Sequence, residues 1–421
     1  MAILETLLSK FRGIFNVEAE AVASSPGRLD FLNTHQDYKG LPVVSVGVNL
    51  RSYVAMRKTN DAEATIISLN MMEEKLPFKD SFKVEKVELK EKRWFGNYLR
   101  AAIIALREKG HSIRGFKAAV LSQVPIGGGL GSSAAFTVSF IGALNEVFRL
   151  GLSRKEMAEI AYHAEHDIMG IPCGRLDQYG SAFGGVIKIE TRPPYSVEEL
   201  PMREGVFVVL DSGIKHSTAD IHPKRQEDIN LGLRMLLKSP EVPDDVKRKL
   251  GERYDDVLWE DLSEEELKPH FSNLPKNSIK RIIFTIHEHM STMLALKIMR
   301  NNIPRKEELI RVLGSDYAED VEEALKHENV KLALIGVIMN QQHDLLRDLY
   351  DLSLPELERI RDAALGAGAL GVKISGAGLG GSLIALVENE PSAKKVLEAG
   401  IKGGARRGWI VEIDDGVRRD L

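Results

Sequence analysis

Pro125-Ile126-Gly127-Gly128-Gly129-Leu130-Gly131-Ser132-Ser133-Ala134-Ala135 decides how the rest of the chain is read: four of the five residues from 127 to 131 are glycine, and a helix-forming run, Ala134 to Leu150, follows at once. Without Cβ atoms, successive main-chain N–H groups can close on an anion. The first turn of the helix adds unpaired N–H groups and the positive end of its dipole. A phosphate suits such a place. The hydroxyls of Ser132 and Ser133 stand where they can cap the helix, bind phosphate oxygens or help to place a magnesium ion. A plain strand-to-helix turn capped by Ser133 is the alternative, but one cap does not call for four glycines. The stretch is neither G-x-x-x-x-G-K-[ST] nor a dinucleotide fingerprint with its acidic ribose partner, so a nucleotide on another fold is implied.

The chain has 421 residues, 43% of them hydrophobic, enough for two domains or one large one. Acidic and basic residues are interspersed at a net charge of −4, with no like-charge block to serve as a nucleic-acid arm or a polybasic membrane patch. Cys173 is the single cysteine, so no intrachain disulfide can form and a reducing compartment is expected. The first residues lack the basic start and apolar core of a signal peptide, and no run of about 18 apolar residues occurs. A cytoplasmic protein without nucleic-acid or membrane partners is expected.

Outward from the glycine stretch, periodicity predicts a helix over 6–15, a strand over 21–24 ending at Pro26-Gly27, and strands over 41–48 and 52–56. A helix over 94–109, a strand over 115–122 and a helix over 155–168 surround the loop. Strands at 185–191 and 206–211 precede a charged segment, from about 221 to 324, that reads as helical and solvent-facing. Helices at 330–349, 355–366 and 393–399 alternate with strands at 370–375, 382–388 and 409–414. Strict βαβ alternation is missing, which favours an α+β fold over a doubly wound sheet. The domains are placed at 1–200 and 201–421, with the charged insert near 235–325.

A kinase needs a phosphate cradle, a magnesium carboxylate, a group to orient or deprotonate the acceptor hydroxyl, and positive charge for the transferring phosphoryl group. In Ala164-Glu165-His166-Asp167-Ile168-Met169-Gly170-Ile171-Pro172-Cys173-Gly174-Arg175-Leu176-Asp177, two carboxylates flank one tight turn. Glu165 reads as the magnesium ligand and Asp177 as the acceptor-orienting base. A solvated Glu165 and a helix-capping Asp177 are the plain alternative. His163 and His166 lack a third ligand at familiar spacing, which argues against a transition-metal site. Ser375-Gly376-Ala377-Gly378-Leu379-Gly380-Gly381-Ser382 contains G-x-G-x-x-G, but a strand-like run follows where a dinucleotide site needs a helix. It reads as a second glycine loop meeting the first across the nucleotide phosphates, and a tight β-hairpin is compatible with that role.

These motifs, in this order, resemble the GHMP small-molecule kinases, and the galactokinases among them. Pro26-Gly27-Arg28-Leu29-Asp30-Phe31-Leu32-Asn33-Thr34-His35-Gln36-Asp37-Tyr38 is similar to the galactokinase opening signature. The run from Pro172 to Gln178, the segment Ser212 to Ser217, and the stretch from Gly336 to His343 with its sequel to Leu357 continue the likeness, which spans most of the chain outside 235–325. The resemblance implies a two-domain GHMP kinase fold with its active site in the cleft between domains, and ATP- and Mg2+-dependent phosphorylation of a sugar at its anomeric hydroxyl. It places Gly127, Gly128, Gly129, Gly131, Ser132, Ser133 and Ala134 on ATP, and Ser132, Ser133 and Glu165 on magnesium. Arg28 then stands by the transferring phosphoryl group and Asp177 by the acceptor oxygen, either orienting it or taking its proton. Thr34, His35, Asp37, Gly174 and His222 hold the sugar.

The departures bear on the substrate. Asn33-Thr34 stands where galactokinases carry Gly-Glu, and that glutamate is the family's contact to the sugar's C6 hydroxyl. Its replacement by a neutral side chain opens the pocket to a uronic acid or to a pentose such as L-arabinose. Asp30 replaces the family's usual asparagine, His222 stands roughly where the family places a sugar-binding tyrosine, and Arg175 replaces an apolar residue, where it either faces the pocket to pair with a sugar carboxylate or turns away. A galactose kinase is the first expectation. A non-catalytic sugar- and ATP-binding regulator is opposed by the intact Glu165, Asp177 and Ser132-Ser133, and a mevalonate or homoserine kinase by the His35-x-Asp37 pair.

Overall fold

A computed structural model describes residues 2–215 and 218–421, so His216 and Ser217, the end of one of the motifs above, lie outside the described residues. The chain forms two compact units, residues 1–29, 45–185 and 413–421 in the first and residues 30–44 and 186–412 in the second. It therefore passes between them four times, at 29/30, 44/45, 185/186 and 412/413, where the sequence suggested one boundary near 200. The reason is local: a strand carries the segment after Leu29 into the second unit, and the last residues return to the first.

In the first unit, α1 (Ala2–Phe15) leads into β1 (Ala21–Leu32), β2 (Val43–Lys58), β3 (Glu63–Ser68), α2 (Leu69–Glu73) and β4 (Lys79–Lys83). Then come α3 (Asn97–Glu108), β5 (Phe116–Ser122), α4 (Ser132–Phe148), α5 (Arg154–His163), a single π-helical turn (Ala164–Ile168) and α6 (Leu176–Phe183). β1 does not stop at Pro26-Gly27. The Arg28 N–H donates to Leu130 O at 2.9 Å, so the glycine loop lies beside the strand where a turn was expected. A Cβ at Gly27 would come within 2.9 Å of Leu130 O, which is why this crossing needs glycine.

The strand order is C-terminal strand (Arg418–Arg419), β1, β2, β5, β3, β4, with β3 and β5 parallel. Leu7 and Phe11, one turn apart on α1, pack on Val22, Tyr53, Ala55, Ile67 and Ala119 of the sheet. α4 rests against α3, α5 and α6. Arg51, 1% exposed, holds the returning tail. It donates to Asp414 Oδ2 at 2.8 Å, Asp415 O at 2.7 Å, Gly416 O at 2.7 Å and Ser24 O at 3.1 Å.

The second unit opens with the hairpin β6 (Val186–Ile189) and β7 (Val197–Leu200), then β8 (Val206–Asp211) and α7 (Thr218–Lys238). Short helices α8 (Asp244–Lys247) and α9 (Glu264–Leu267) lead to α10 (Lys276–Met299), α11 (Lys306–Leu313), α12 (Ala318–Lys326), α13 (Val330–Asp348) and α14 (Pro355–Gly366). β9 (Gly371–Ser375), β10 (Ser382–Val387), α15 (Glu390–Lys402) and β11 (Arg407–Glu412) complete it. The sheet is antiparallel in the order β11, β8, β10, β9, and Ser375 pairs with Ser382 across the second glycine loop, which is therefore a hairpin turn.

The charged insert is not the solvated bulk its composition suggested. α10 buries Arg281, Ile282, Thr285, Ile286 and Glu288, and a core cluster around Trp259 joins Ile282 and Ile286 to Leu41, Ile229 and Leu233. Its inner face carries Arg281 and Glu288, with Arg281 Nη2 donating to Asp351 Oδ2 at 2.6 Å, so overall polarity misrepresents this face. No helix among the described residues is long and apolar enough to cross a membrane.

Candidate active site

The glycine loop is built for main-chain contact. Gly127, Gly129 and Gly131 have φ of 70°, 73° and 65°, a region that side chains resist. Gly131 is the N-cap of α4 and makes no side-chain cap bond, so Ser133 is not the cap and the first turn, Ser132 to Ala134, begins without a capping side chain. Arg28 braces the loop from below. Its Nη1 donates to Gly129 O at 2.6 Å, and a Cβ on Gly131 would sit 3.1 Å from Arg28 Cγ.

The same guanidinium holds Asp177. Nε and Nη2 of Arg28 donate to Asp177 Oδ1 at 2.8 and 2.6 Å, in a pair with side-chain exposures of 11% and 31%. Gly180, one turn further along α6, leaves room for this: a Cβ there would lie 2.9 Å from Arg28 Cβ. Asp177 is thus engaged in an ion pair and does not cap α6.

Glu165 lies in the π turn, 3% exposed, with Oε1 lacking any hydrogen-bond partner. Burial, then the charge of Asp177, push its carboxyl up to about 7 against opposing effects of Gln178, Ser133 and Thr137. A buried carboxylate with an unsatisfied oxygen, near a second carboxylate, Asp177, and the Ser133 hydroxyl, is a set of hard oxygens that fits a magnesium ion. No group of three or more His, Cys, Asp or Glu that could hold a metal ion occurs among the described residues. His163 is instead held between Glu108 and Asp167, each at 2.6 Å, and His166 Nδ1 donates to Cys173 O at 3.1 Å. Gly174 is exposed in the turn before α6, and Arg175 turns away to Glu159, with Nε to Oε1 at 2.8 Å.

In the second unit, Thr34 and His35 are 1% and 5% exposed. Thr34 points inward: its Oγ1 donates to Asp30 Oδ1 at 3.2 Å and accepts from Lys373 Nζ at 2.8 Å. His35 Nε2 donates to Ala377 O of the hairpin turn at 3.2 Å, which leaves Nδ1 as an acceptor, buried and without a partner. The His222 ring lies 5.0 Å away, and its Nδ1 is also unpartnered. Burial, then His222 and Lys39, hold His35 well below its ordinary value, and burial, then Arg225 and Lys39, lower His222. Both rings are therefore neutral acceptors suited to hydroxyl donors. Asp37 opens a 3-10 turn, Asp37–Lys39, and is partly exposed.

Sequence reading missed the buried ionic group behind these residues. Lys39 donates to Thr285 Oγ1 at 2.9 Å and lies over the rings of Tyr350 and Phe284 at 4.7 and 4.8 Å. Glu288 is fully buried with both carboxyl oxygens unpartnered, and burial raises it well above its usual range against the pull of Lys373 and Lys39. Lys39, Glu288 and Lys373 are far apart in the chain, and nothing in the sequence joins them.

Comparison with known proteins adds three family matches. Residues 97–185 match the GHMP kinases N terminal domain, residues 321–405 the GHMP kinases C terminal, and residues 9–58 the galactokinase galactose-binding signature. A galactokinase of Thermococcus kodakarensis is 30% identical over 370 residues, covering 87% of this chain and 89% of the relative. One from Clostridium acetobutylicum is 26% identical over the full length of both. Among solved structures, Lactococcus lactis galactokinase complexed with galactose aligns with a TM-score of 0.74 at 22% identity over 99% of each chain. Methanococcus jannaschii mevalonate kinase aligns with a TM-score of 0.59 at 19% identity, covering 94% of this chain and 98% of the other.

Proposed function

This chain belongs to the galactokinase family of GHMP kinases and is a sugar kinase, and from that premise we propose that it transfers the γ-phosphoryl group of ATP to the anomeric (C1) hydroxyl of a galactose-configured monosaccharide. One observation carries the reading: Arg28 ties the floor of the glycine loop to Asp177, so phosphate cradle, positive charge and acceptor-facing carboxylate form one connected unit.

The main-chain N–H groups of Gly127 to Ala134 hold the phosphates. The Arg28 guanidinium stands against the charge that develops on the transferring phosphoryl group. Asp177 orients the sugar hydroxyl and takes its proton as the new P–O bond forms. Ser132, Ser133 and Glu165 are the residues that would hold Mg2+, which when bound neutralises phosphoryl oxygens. His35 and His222 accept sugar hydroxyls at their free Nδ1 atoms, with Asp37 and Gly174 completing the set.

Galactose is the first substrate, in line with the named relatives. A second reading, galacturonate or L-arabinose, is favoured by Thr34: no carboxylate stands there, and its hydroxyl is bonded to the ammonium of Lys373. ADP release with Mg-ATP, measured as kcat/KM for galactose, galacturonate, glucuronate, L-arabinose, N-acetylgalactosamine and mevalonate, tests both. Preference for galactose supports the first reading and preference for a uronate or pentose the second. Silence on every sugar would sink the kinase and leave a binding protein.

A further inference from the structure

Glu159 has no place in the chemistry above, yet two residues that bracket Asp177 converge on it. Its Oε1 accepts from Arg175 Nε at 2.8 Å and from the Tyr179 hydroxyl at 2.5 Å, and its Oε2 accepts from Arg175 Nη2 at 3.3 Å. Arg175 is two residues before Asp177 and Tyr179 two residues after, an i, i+4 pair on one face of the first turn of α6. That turn has no side-chain cap of its own. Tyr179 is fully buried, so its hydroxyl needs a partner, and Glu159 supplies it.

The clasp continues backward. The Arg175 guanidinium lies 3.9 Å from the centre of the Tyr162 ring, Tyr162 stacks on His166 at 4.9 Å, and His166 Nδ1 donates to Cys173 O at 3.1 Å. Glu159, Tyr162 and His166 stand at i, i+3 and i+7 on α5 and its π turn, the same segment that carries Glu165. One carboxylate therefore joins the segment holding Glu165 to the helix holding Asp177, across the turn of residues 169–175. Burial raises the Glu159 carboxyl, but the bonds from Arg175 and Tyr179 outweigh it and hold it below its usual value, which favours the ionised form that accepts both.

We propose that Glu159 is a positioning residue: through Arg175 and Tyr179 it fixes the first turn of α6, and with it the direction in which Asp177 presents its carboxylate to the acceptor. This rests on the reading of Asp177 given above. Arg175, which replaces an apolar residue usual in the resembled family, acquires a role that points away from the substrate.

The test uses the full chain and four variants, Glu159→Ala, Glu159→Gln, Arg175→Leu and the Glu159→Ala/Arg175→Leu double, with Asp177→Asn as control. kcat and KM are measured with ATP and the sugar the substrate panel selects, well below each variant's Tm. Glu159→Ala should lower kcat by about tenfold or more with KM for ATP changed less than about twofold, since a misaimed carboxylate costs the chemical step and not nucleotide binding. Glu159→Gln keeps an acceptor for the clasp and should recover much of the loss. The double variant should be no slower than Glu159→Ala, the signature of two residues acting through one path. A lowered Tm with kcat within about twofold of wild type, or single effects that simply multiply in the double variant, would overturn the proposal. If Glu159→Ala does not fold, Arg175→Leu decides: kcat within about twofold of wild type overturns it. Near-normal turnover in Asp177→Asn would overturn the underlying reading of Asp177, an outcome distinct from failure of the Glu159 variants alone.

Discussion

Arg28 and Asp177 meet through two hydrogen bonds that fall on a single oxygen: Nε and Nη2 both donate to Oδ1, at 2.8 and 2.6 Å. The guanidinium thereby sets the plane of the carboxylate through one oxygen, and its third nitrogen is committed to the phosphate loop at Gly129 O. Asp177→Asn keeps an acceptor at Oδ1 and removes the charge. We expect kcat to fall by about 10²- to 10⁴-fold, with ATP-analogue binding close to wild type. Calorimetric titration beside steady-state rates checks this, and a variant retaining wild-type turnover removes Asp177 from the proton path.

Glu165 predicts a pH dependence of stability in the absence of divalent cations. Its folded value of about 7 lies above the ordinary 4.5, so the folded protein holds a proton that the unfolded chain has released between those values. Stability is then greatest below pH 4.5 as far as this group is concerned, and its contribution is lost as pH rises through about 7. The change is about 3 kcal/mol. Denaturant unfolding in EDTA at pH 5 and pH 8 should show this decrease in wild type and little of it in Glu165→Gln. Equal decreases in both proteins would assign it to other groups.

Gly131 combines φ of 65° with a neighbour, Arg28 Cγ, 3.1 Å from where a Cβ would stand. Gly131→Ala must strain the loop or displace Arg28, at a cost of about 1 to 2 kcal/mol. KM for ATP should rise about tenfold, and kcat should fall because the displaced side chain is the partner of Asp177. Unchanged kinetics would mean that the loop absorbs the methyl group without moving Arg28.

Thr34 bridges two buried charges, Asp30 and Lys373. Thr34→Val keeps its shape and strips both bonds, leaving the ammonium and the carboxylate short of a partner. A loss of about 1 to 3 kcal/mol in urea unfolding, at constant m, is expected. A variant as stable as wild type would show that water replaces the hydroxyl.

Where local pattern governs, the sequence was a sound guide. The glycine loop, the helix after it and the strand over 206–211 follow from residue type and spacing, and Glu165 and Asp177 flank one turn in the structure as they do in the sequence. Expectation failed where tertiary contact overrides composition. Pro26-Gly27 looks like a strand end, yet β1 runs on to Leu32 beside β2, and the Arg28 N–H finds its acceptor in Leu130 O of the glycine loop. The insert looks solvated because its charges are numerous, and only the fold reveals that Glu288 and Arg281 face inward toward Lys39 and Asp351. Glu159 left one legible trace, the i, i+4 spacing of Arg175 and Tyr179 around Asp177, which asks for a shared partner without naming it.

The grip of Arg51 on residues 414–416 has a consequence during synthesis. The sheet that carries β1 and Arg28 is finished by residues that leave the ribosome only after the whole second unit has been made. Until then Arg51 lacks three of its acceptors, Asp414 Oδ2, Asp415 O and Gly416 O, and β1 lacks the strand that covers its edge. The unit that holds most of the residues translated first is thus the one completed last.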